Sequence, residues 1–149
     1  MKAYQHSQIG TLLLVLYSIV IVILAVLALF TQLRRVAMTG LLVMTVVVVL
    51  FSRLTVKIKE EMVELRFGLG ILRKRYLLRD IEACQVVNNP WYYGWGIRYT
   101  PQGWLYAVSG LTAVELQMKN GKKVRIGTDD AYGLCQALER ALGVVSGGL

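Results

Sequence analysis

The side chains that could do chemistry in this chain are few, and their spacing does not bring them together. The one histidine, His6, lies just before the first apolar run. A Ser-His-Asp or Cys-His arrangement needs its histidine beside a nucleophile. His6 therefore reads as a solvated or interfacial side chain. Asp129 and Asp130 are paired carboxylates, but adjacent acids before an amphipathic run suit a helix N-terminus better than acid-base work. Cys84 and Cys135 lack metal-ligand spacing and suggest no disulfide framework. They read as small buried hydrophobes in a reducing compartment. Gly68-x-Gly70 and Gly94-x-Gly96 open no helix in a strand-helix-strand unit, so they make no phosphate cradle. The expectation is a non-enzymatic chain with no catalytic residues, no cofactor and no metal.

What the sequence does concentrate is aromatic surface. Asn88 to Tyr106 holds Trp91, Tyr92, Tyr93, Trp95, Tyr99, Trp104 and Tyr106, seven of the fourteen aromatics in the chain. Core packing with cross-strand pairs is the leading reading of this segment. A protein-binding surface built from Trp91, Tyr92, Tyr93, Trp95 and Arg98 is the second, because Trp, Tyr and Arg dominate interface hot spots. An aromatic belt resting on lipid headgroups is the third. Trp91, Tyr92, Tyr93 and Trp95 cannot all point one way along a strand, so some are exposed or in a loop.

Charge is the other concentration. The net charge is +8 over 149 residues, and all nine acids follow residue 52. Arg53, Lys57, Lys59, Arg73, Lys74 and Arg75 are the candidate contacts for anionic lipid, where each nearby cation contributes about 1 kcal/mol. For Arg73, Lys74 and Arg75 a solvated, edge-protecting role competes with lipid contact. No nucleic-acid motif accompanies the charge, so nucleic acid is not an expected partner.

The elements that must position these residues fall in two parts. Ile9 to Thr31 carries no charge and reaches about 35 Å as a helix, enough to cross a hydrocarbon core of about 30 Å. Val36 to Ser52 is a second uncharged run at the short end for a span. Its β-branched stretch, Val43 to Val49, would favour a strand in water, but lipid requires backbone hydrogen bonds to close within the segment. The first run is too long for a signal peptide and lacks A-x-A spacing. Residues 1–52 thus read as a two-helix membrane hairpin. Lys2, Arg53, Lys57 and Lys59 on the terminal side outweigh Arg34 and Arg35 at the turn. That count places both termini and the following domain in the cytoplasm.

Residues 53–149 read as a separate, mainly-β domain. Eight alternating or β-prone runs, at Leu54–Ile58, Val63–Phe67, Ile71–Leu77, the less regular Ile81–Val87, Trp95–Tyr99, Trp104–Val108, Val114–Met118 and Val124–Ile126, predict about seven short antiparallel strands. Asn120-Gly121 is a strong hairpin signal. Thr128 is the expected cap of a closing helix over about 129–142, with Gly143 as its stop and a frayed tail after it.

This order resembles the pleckstrin-homology-like fold, a curved antiparallel sheet or partly open barrel closed by a C-terminal helix. More narrowly it resembles bacterial proteins that carry such a domain behind paired membrane spans. The residues carrying the resemblance are the Glu64–Gly68 strand and turn, Asp80-Ile81, Gly94 to Arg98, Gly103-Trp104, the Val114–Ile126 hairpin and Gly127-Thr128-Asp129. The resemblance implies phosphoinositide binding by basic residues of the first hairpin. Lys57 and Lys59 fit, but Glu60 and Glu61 in the adjoining turn would repel a polyphosphate, which argues against specific inositide binding.

The function expected is that of an interaction module held at the cytoplasmic membrane face. Its partners would be the bilayer and a protein, including a second copy of itself. The alternative is a subunit or regulator of a membrane transporter or assembly machine that acts through its helices.

Overall fold

The computed structural model describes residues 4–146. Lys2 and the tail from 147 to 149 lie outside the described residues.

Two helices form as the apolar runs require. α1 spans Thr11–Phe30 and α2 spans Arg34–Phe51, joined by Thr31-Gln32-Leu33. The β-branched run of α2 is helical. None of α1 is buried against protein, and only Ala37 and Val48 are buried in α2. A soluble core helix would be covered by protein. These two instead present apolar side chains on nearly all sides, and both are long and apolar enough to cross a membrane. Their few hydroxyls are satisfied locally. Ser18, Thr39 and Thr45 donate to carbonyls four residues earlier, and Tyr17 Oη lies 2.6 Å from Thr45 Oγ1 across the helix pair.

Among the described residues the mainly-β part contains nine strands in two sheets, against about seven expected. The first sheet has the order β1-β2-β3-β4, with β1 at Gln5–Ile9, β2 at Arg53–Ile58, β3 at Met62–Phe67 and β4 at Leu72–Leu77. β1 corrects the sequence reading. The flank before α1, assigned there to the membrane hairpin, pairs antiparallel with β2 from Gln5 opposite Lys57 to Ile9 opposite Arg53. Its five residues alternate too weakly in hydropathy to signal a strand. His6 and Gln8 face inward on a polar-rich segment, and only the pairing with β2 makes it one.

The second sheet comprises β5 (Ile81–Asn88), β6 (Gly96–Thr100), β7 (Gly103–Ala107), β8 (Thr112–Met118) and β9 (Lys123–Gly127). Its order is β5-β8-β9-β7-β6. The expected meander therefore does not continue through this half. β7 and β9 run parallel, with Trp104 opposite Val124 and Tyr106 opposite Ile126, and β8 lies on the far side of β9. The Asn120-Gly121 hairpin joins β8 to β9 as read.

Helix α3 covers Ala131–Ser146, starting later and ending later than expected. Asp130, not Thr128, caps it: the Gly133 N–H donates to Asp130 Oδ1 at 3.1 Å. Thr128 instead accepts from the Asp130 N–H. Leu134 and Leu138 of α3 are fully buried in one core cluster with Leu54, Val56, Leu116 and Ile126. Each such side chain contributes about 1.5–3 kcal/mol by leaving water.

One turn ties the sheets to the helices. Gly68, at the end of β3, has φ +54°, and a Cβ there would stand 2.1 Å from the Val49 carbonyl oxygen of α2. The Gly68 N–H donates to the Arg53 carbonyl at 2.7 Å. Only glycine meets both demands. We predict that Gly68→Ala lowers unfolding stability by at least about 2 kcal/mol, from strain and overpacking together. Denaturant unfolding followed by tryptophan fluorescence checks it. A loss below about 0.5 kcal/mol, the range of ordinary surface substitutions, would contradict the close approach.

Candidate functional site

The register of the strands gives the domain two unlike ends. β2 leaves the end of α2 at Arg53, so the Ile58 end is distant from the helices. β3 returns to Gly68 beside Val49 and Leu50. β4 runs out again and β5 comes back to Asn88, opposite Thr112. Gly96 at the start of β6 lies beside the Phe51 ring. β7 returns to Ser109, whose hydroxyl lies 3.4 Å from the Ile9 carbonyl. The Gly10 N–H donates to the Ser52 carbonyl at 2.7 Å, so both helices leave this one end side by side.

The loops at the two ends differ in chemistry. At the helix-bearing end they are Gly68–Ile71, Asn89–Trp95 and Val108–Leu111, and none of these residues is charged. They expose Leu69 (81%), Ile71 (64%), Trp91 (77%), Tyr92 and Leu111. At the other end the turns carry Lys59, Glu60, Glu61, Arg79, Asp80, Lys119 and Lys122. The Thr128–Asp130 link is acidic but is drawn up the side of the domain. Tyr4 donates to Asp130 Oδ2 at 3.0 Å, and His6 Nε2 meets Asp129 Oδ1 at 2.5 Å. His6 is thus a partner of the α3 N-terminus rather than a free interfacial side chain, because β1 carries it into the sheet.

The aromatic segment divides. Trp91–Tyr93 forms a single 3-10 turn, with Trp91 and Tyr92 exposed. Tyr93 is half-buried and donates to the Gln102 side chain. Trp95 is half-buried, and its indole N–H donates to the Gly110 carbonyl at 3.0 Å, which ties this loop to the Val108–Leu111 loop. Exposed Arg98 donates through Nε to the Trp95 carbonyl at 2.9 Å. Tyr106 is core, and its hydroxyl accepts from Tyr76. The structure therefore holds Trp91, Tyr92, Tyr93 and Trp95 in one loop with Arg98 beside it on β6, but only Trp91, Tyr92 and Arg98 are exposed.

The basic set divides by height and by partner. Glu64 is fully buried on the outer side of the first sheet. It accepts from Arg66 at 2.8 and 3.0 Å and from Arg75 at 3.2 Å, with Lys59 Nζ at 3.4 Å. The Arg66 hydrogen bonds hold its carboxyl down to about 2 against the opposing cost of desolvation, with help from Arg75 and Lys59. Glu115 does the same for the second sheet, where Arg125 at 2.7 Å and Lys123 at 3.0 Å hold it below the usual range against desolvation. Lys59 and Arg75 are thereby committed. Lys59 also stands about 20 Å along the strand from Arg53, beyond the screening length of about 8 Å. Arg53, Lys57, Arg73 and Lys74 have no carboxylate within 4.0 Å among the described residues, and Arg53 and Arg73 lie at the helix-bearing end.

Cys84 and Cys135 meet, which their separation in sequence does not reveal. Their sulfurs are 2.8 Å apart where α3 crosses β5, with a carboxylate oxygen of Glu139 within 4.8 Å of both. Desolvation, then the Cys135 hydrogen bond, pushes the Cys84 thiol well above its ordinary range, so at neutral pH Cys84 is a neutral thiol. These three donors are the group among the described residues that could hold a metal.

Leu69, Ile71 and Leu111 escaped the sequence reading. A signal was available: Leu69 is a large apolar residue between two turn glycines, where a polar residue is the norm. Comparison with known proteins found no matching family model, no similar curated protein and no similar solved structure.

The carboxyl of Glu64 is depressed in the folded state. Its contribution to stability is therefore full above the ordinary carboxylate range and is lost as pH falls from about 4.5 towards about 2. Glu64→Gln is expected to cost about 2 kcal/mol at pH 7, and the gap to the unsubstituted chain should close across that acid window. Paired unfolding curves at about pH 7, about pH 4 and about pH 2.5 measure it.

Proposed function

We propose that this chain is a non-enzymatic, membrane-anchored interaction module whose β domain is seated on the bilayer by its helix-bearing end. The observation that carries the reading is the uncharged, apolar set of loops surrounding the paired helix exits. A domain swinging free in water would expose Leu69, Ile71, Trp91 and Leu111 without return. At a bilayer interface the same side chains are stabilised, Trp and Tyr most of all. The two-point attachment supports it, since a domain that the chain leaves through β1 and re-enters through β2 cannot swivel on one linker.

In this reading α1 and α2 cross the membrane. Both termini and the domain lie on the cytoplasmic side, as Arg53, Lys57 and Lys59 outweigh Arg34 and Arg35. Arg53 and Arg73 then sit at phosphate height. The charged far end and the outer sheet faces are left to a protein partner or a second copy. A pleckstrin-homology-like reading of the domain is supported by two sheets followed by a C-terminal helix, and the parallel β7–β9 pair counts against it.

Depth measurement tests the seating. In a background of Cys84→Ala and Cys135→Ala, spin labels are placed at Leu69→Cys, Leu111→Cys and Asn120→Cys. Labels at 69 and 111 are expected to collide with oxygen in preference to a water-soluble nickel complex, and the label at 120 to do the reverse. Nickel preference at all three positions would sink the reading.

A further inference from the structure

We infer that the slot between β4 and β6 takes an anionic lipid from the adjoining leaflet, its chain against the aromatic floor and its phosphate against Arg73 and Lys74. The inference rests on the seating proposed above. β4 is the last strand of the first sheet and β6 the last of the second, and the two edges are not joined by backbone hydrogen bonds among the described residues. α3 packs elsewhere, against β2, β5, β8 and the Leu78–Asp80 turn. The β4/β6 side of the sandwich is left open there as a groove of about 300 Å³.

The groove is amphipathic in one direction. Buried Phe67 and Tyr106 form its floor, Leu72, Ile97 and Trp104 its walls, and Arg73 and Lys74 its rim. Tyr106 stacks near Trp104 with ring centroids 6.5 Å apart and lies 6.1 Å from the Phe67 ring. An apolar floor under a cationic rim suits an amphiphile with an anionic head. Neither cation is spent: Arg73 is steadied by its Nε hydrogen bond to the Gly70 carbonyl at 2.6 Å, and Lys74 Nζ lies 5.9 Å over the Tyr76 ring. Both keep donors for a phosphate.

Continuity with the helices chooses lipid over a soluble ligand. Phe51, the last residue of α2, meets Phe67 edge-on at 5.8 Å, and the Gly96 backbone lies against the same Phe51 ring. The floor of the groove is thus an extension of the helix surface. A chain lying beside α2 reaches Phe67 without crossing water, whereas a soluble ligand would have to pass the apolar loops. The volume holds a segment of a chain, so the rest of the lipid stays in the bilayer.

Two single-tryptophan proteins separate this inference from the seating. One keeps Trp104 (Trp91→Phe, Trp95→Phe), and the other keeps Trp91 (Trp95→Phe, Trp104→Phe). Each full-length chain is reconstituted in phosphatidylcholine vesicles holding an equal, low fraction of acyl-brominated phosphatidylglycerol or acyl-brominated phosphatidylcholine. Trp104 is expected to be quenched with an apparent preference of about thirtyfold for the anionic lipid, the scale that two cations at a membrane surface set. Trp91 should be quenched alike by both. Arg73→Gln with Lys74→Gln, at exposed positions that leave the fold intact, should abolish the preference at Trp104. Quenching of Trp91 by both lipids with no preference at Trp104 overturns the slot and leaves the seating. No quenching of Trp91 overturns the seating itself.

Discussion

The antiparallel pairing of β1 with β2 is the constraint from which the rest of this structure follows. It joins the residues just before α1 to the residues just after α2. The two helix exits are therefore one hydrogen-bonded unit, closed by Gly10 on Ser52. A helical hairpin attached through a single strand would leave the domain a hinge. Attached through two neighbouring strands, the domain inherits the direction of the helices. The approach of Gly68 to Val49 and Leu50 adds a third point of contact and holds the β3–β4 turn level with the last turn of α2.

From that constraint the two ends of the domain acquire different surroundings, and their loops differ accordingly. Most turns distant from the helices are charged, as turns in water usually are, the Thr100–Gly103 turn being the exception. Turns beside the helices carry no charge and expose leucine, isoleucine and tryptophan. The charges that remain are managed by buried anions. Glu64 gathers Lys59, Arg66 and Arg75, and Glu115 gathers Lys123 and Arg125. Each is a buried carboxylate whose desolvation is offset only because several cations converge on it. The consequence for function lies in what is left over: Arg53, Arg73 and Lys74 stay available where the apolar loops are.

Much of the secondary structure was legible in the sequence because hydropathy period is a local property. The apolar runs of α1 and α2, the alternation of Leu54–Ile58 and Val63–Phe67, and Asn120-Gly121 each carry their own signal. β1 carries almost none, since a five-residue polar segment becomes a strand only when a partner supplies its hydrogen bonds. The order of the second sheet was equally hidden. Nothing in the β7 residues says that they pair in parallel with β9 rather than antiparallel with β8. The aromatic segment was visible as a composition, but its division into core Tyr106 and exposed Trp91 and Tyr92 depends on which strand or turn each residue joins.

By itself, then, the sequence determined that two uncharged helical runs precede a mainly-β domain, and that aromatic and basic side chains are its conspicuous surface chemistry. Period, length and charge are sums over neighbours along the chain, so they need no knowledge of the fold. The tertiary structure alone decided that His6 meets Asp129 and that Cys84 meets Cys135. It also decided that Glu64 withdraws Lys59 and Arg75 from the basic set, and that the uncharged loops carrying Leu69, Ile71 and Leu111 flank the helix exits. The histidine and cysteine pairs join residues tens of positions apart, and Glu64 reaches across two strand turns to Lys59 and Arg75. They are set by strand register and sheet order, which a local pattern does not encode.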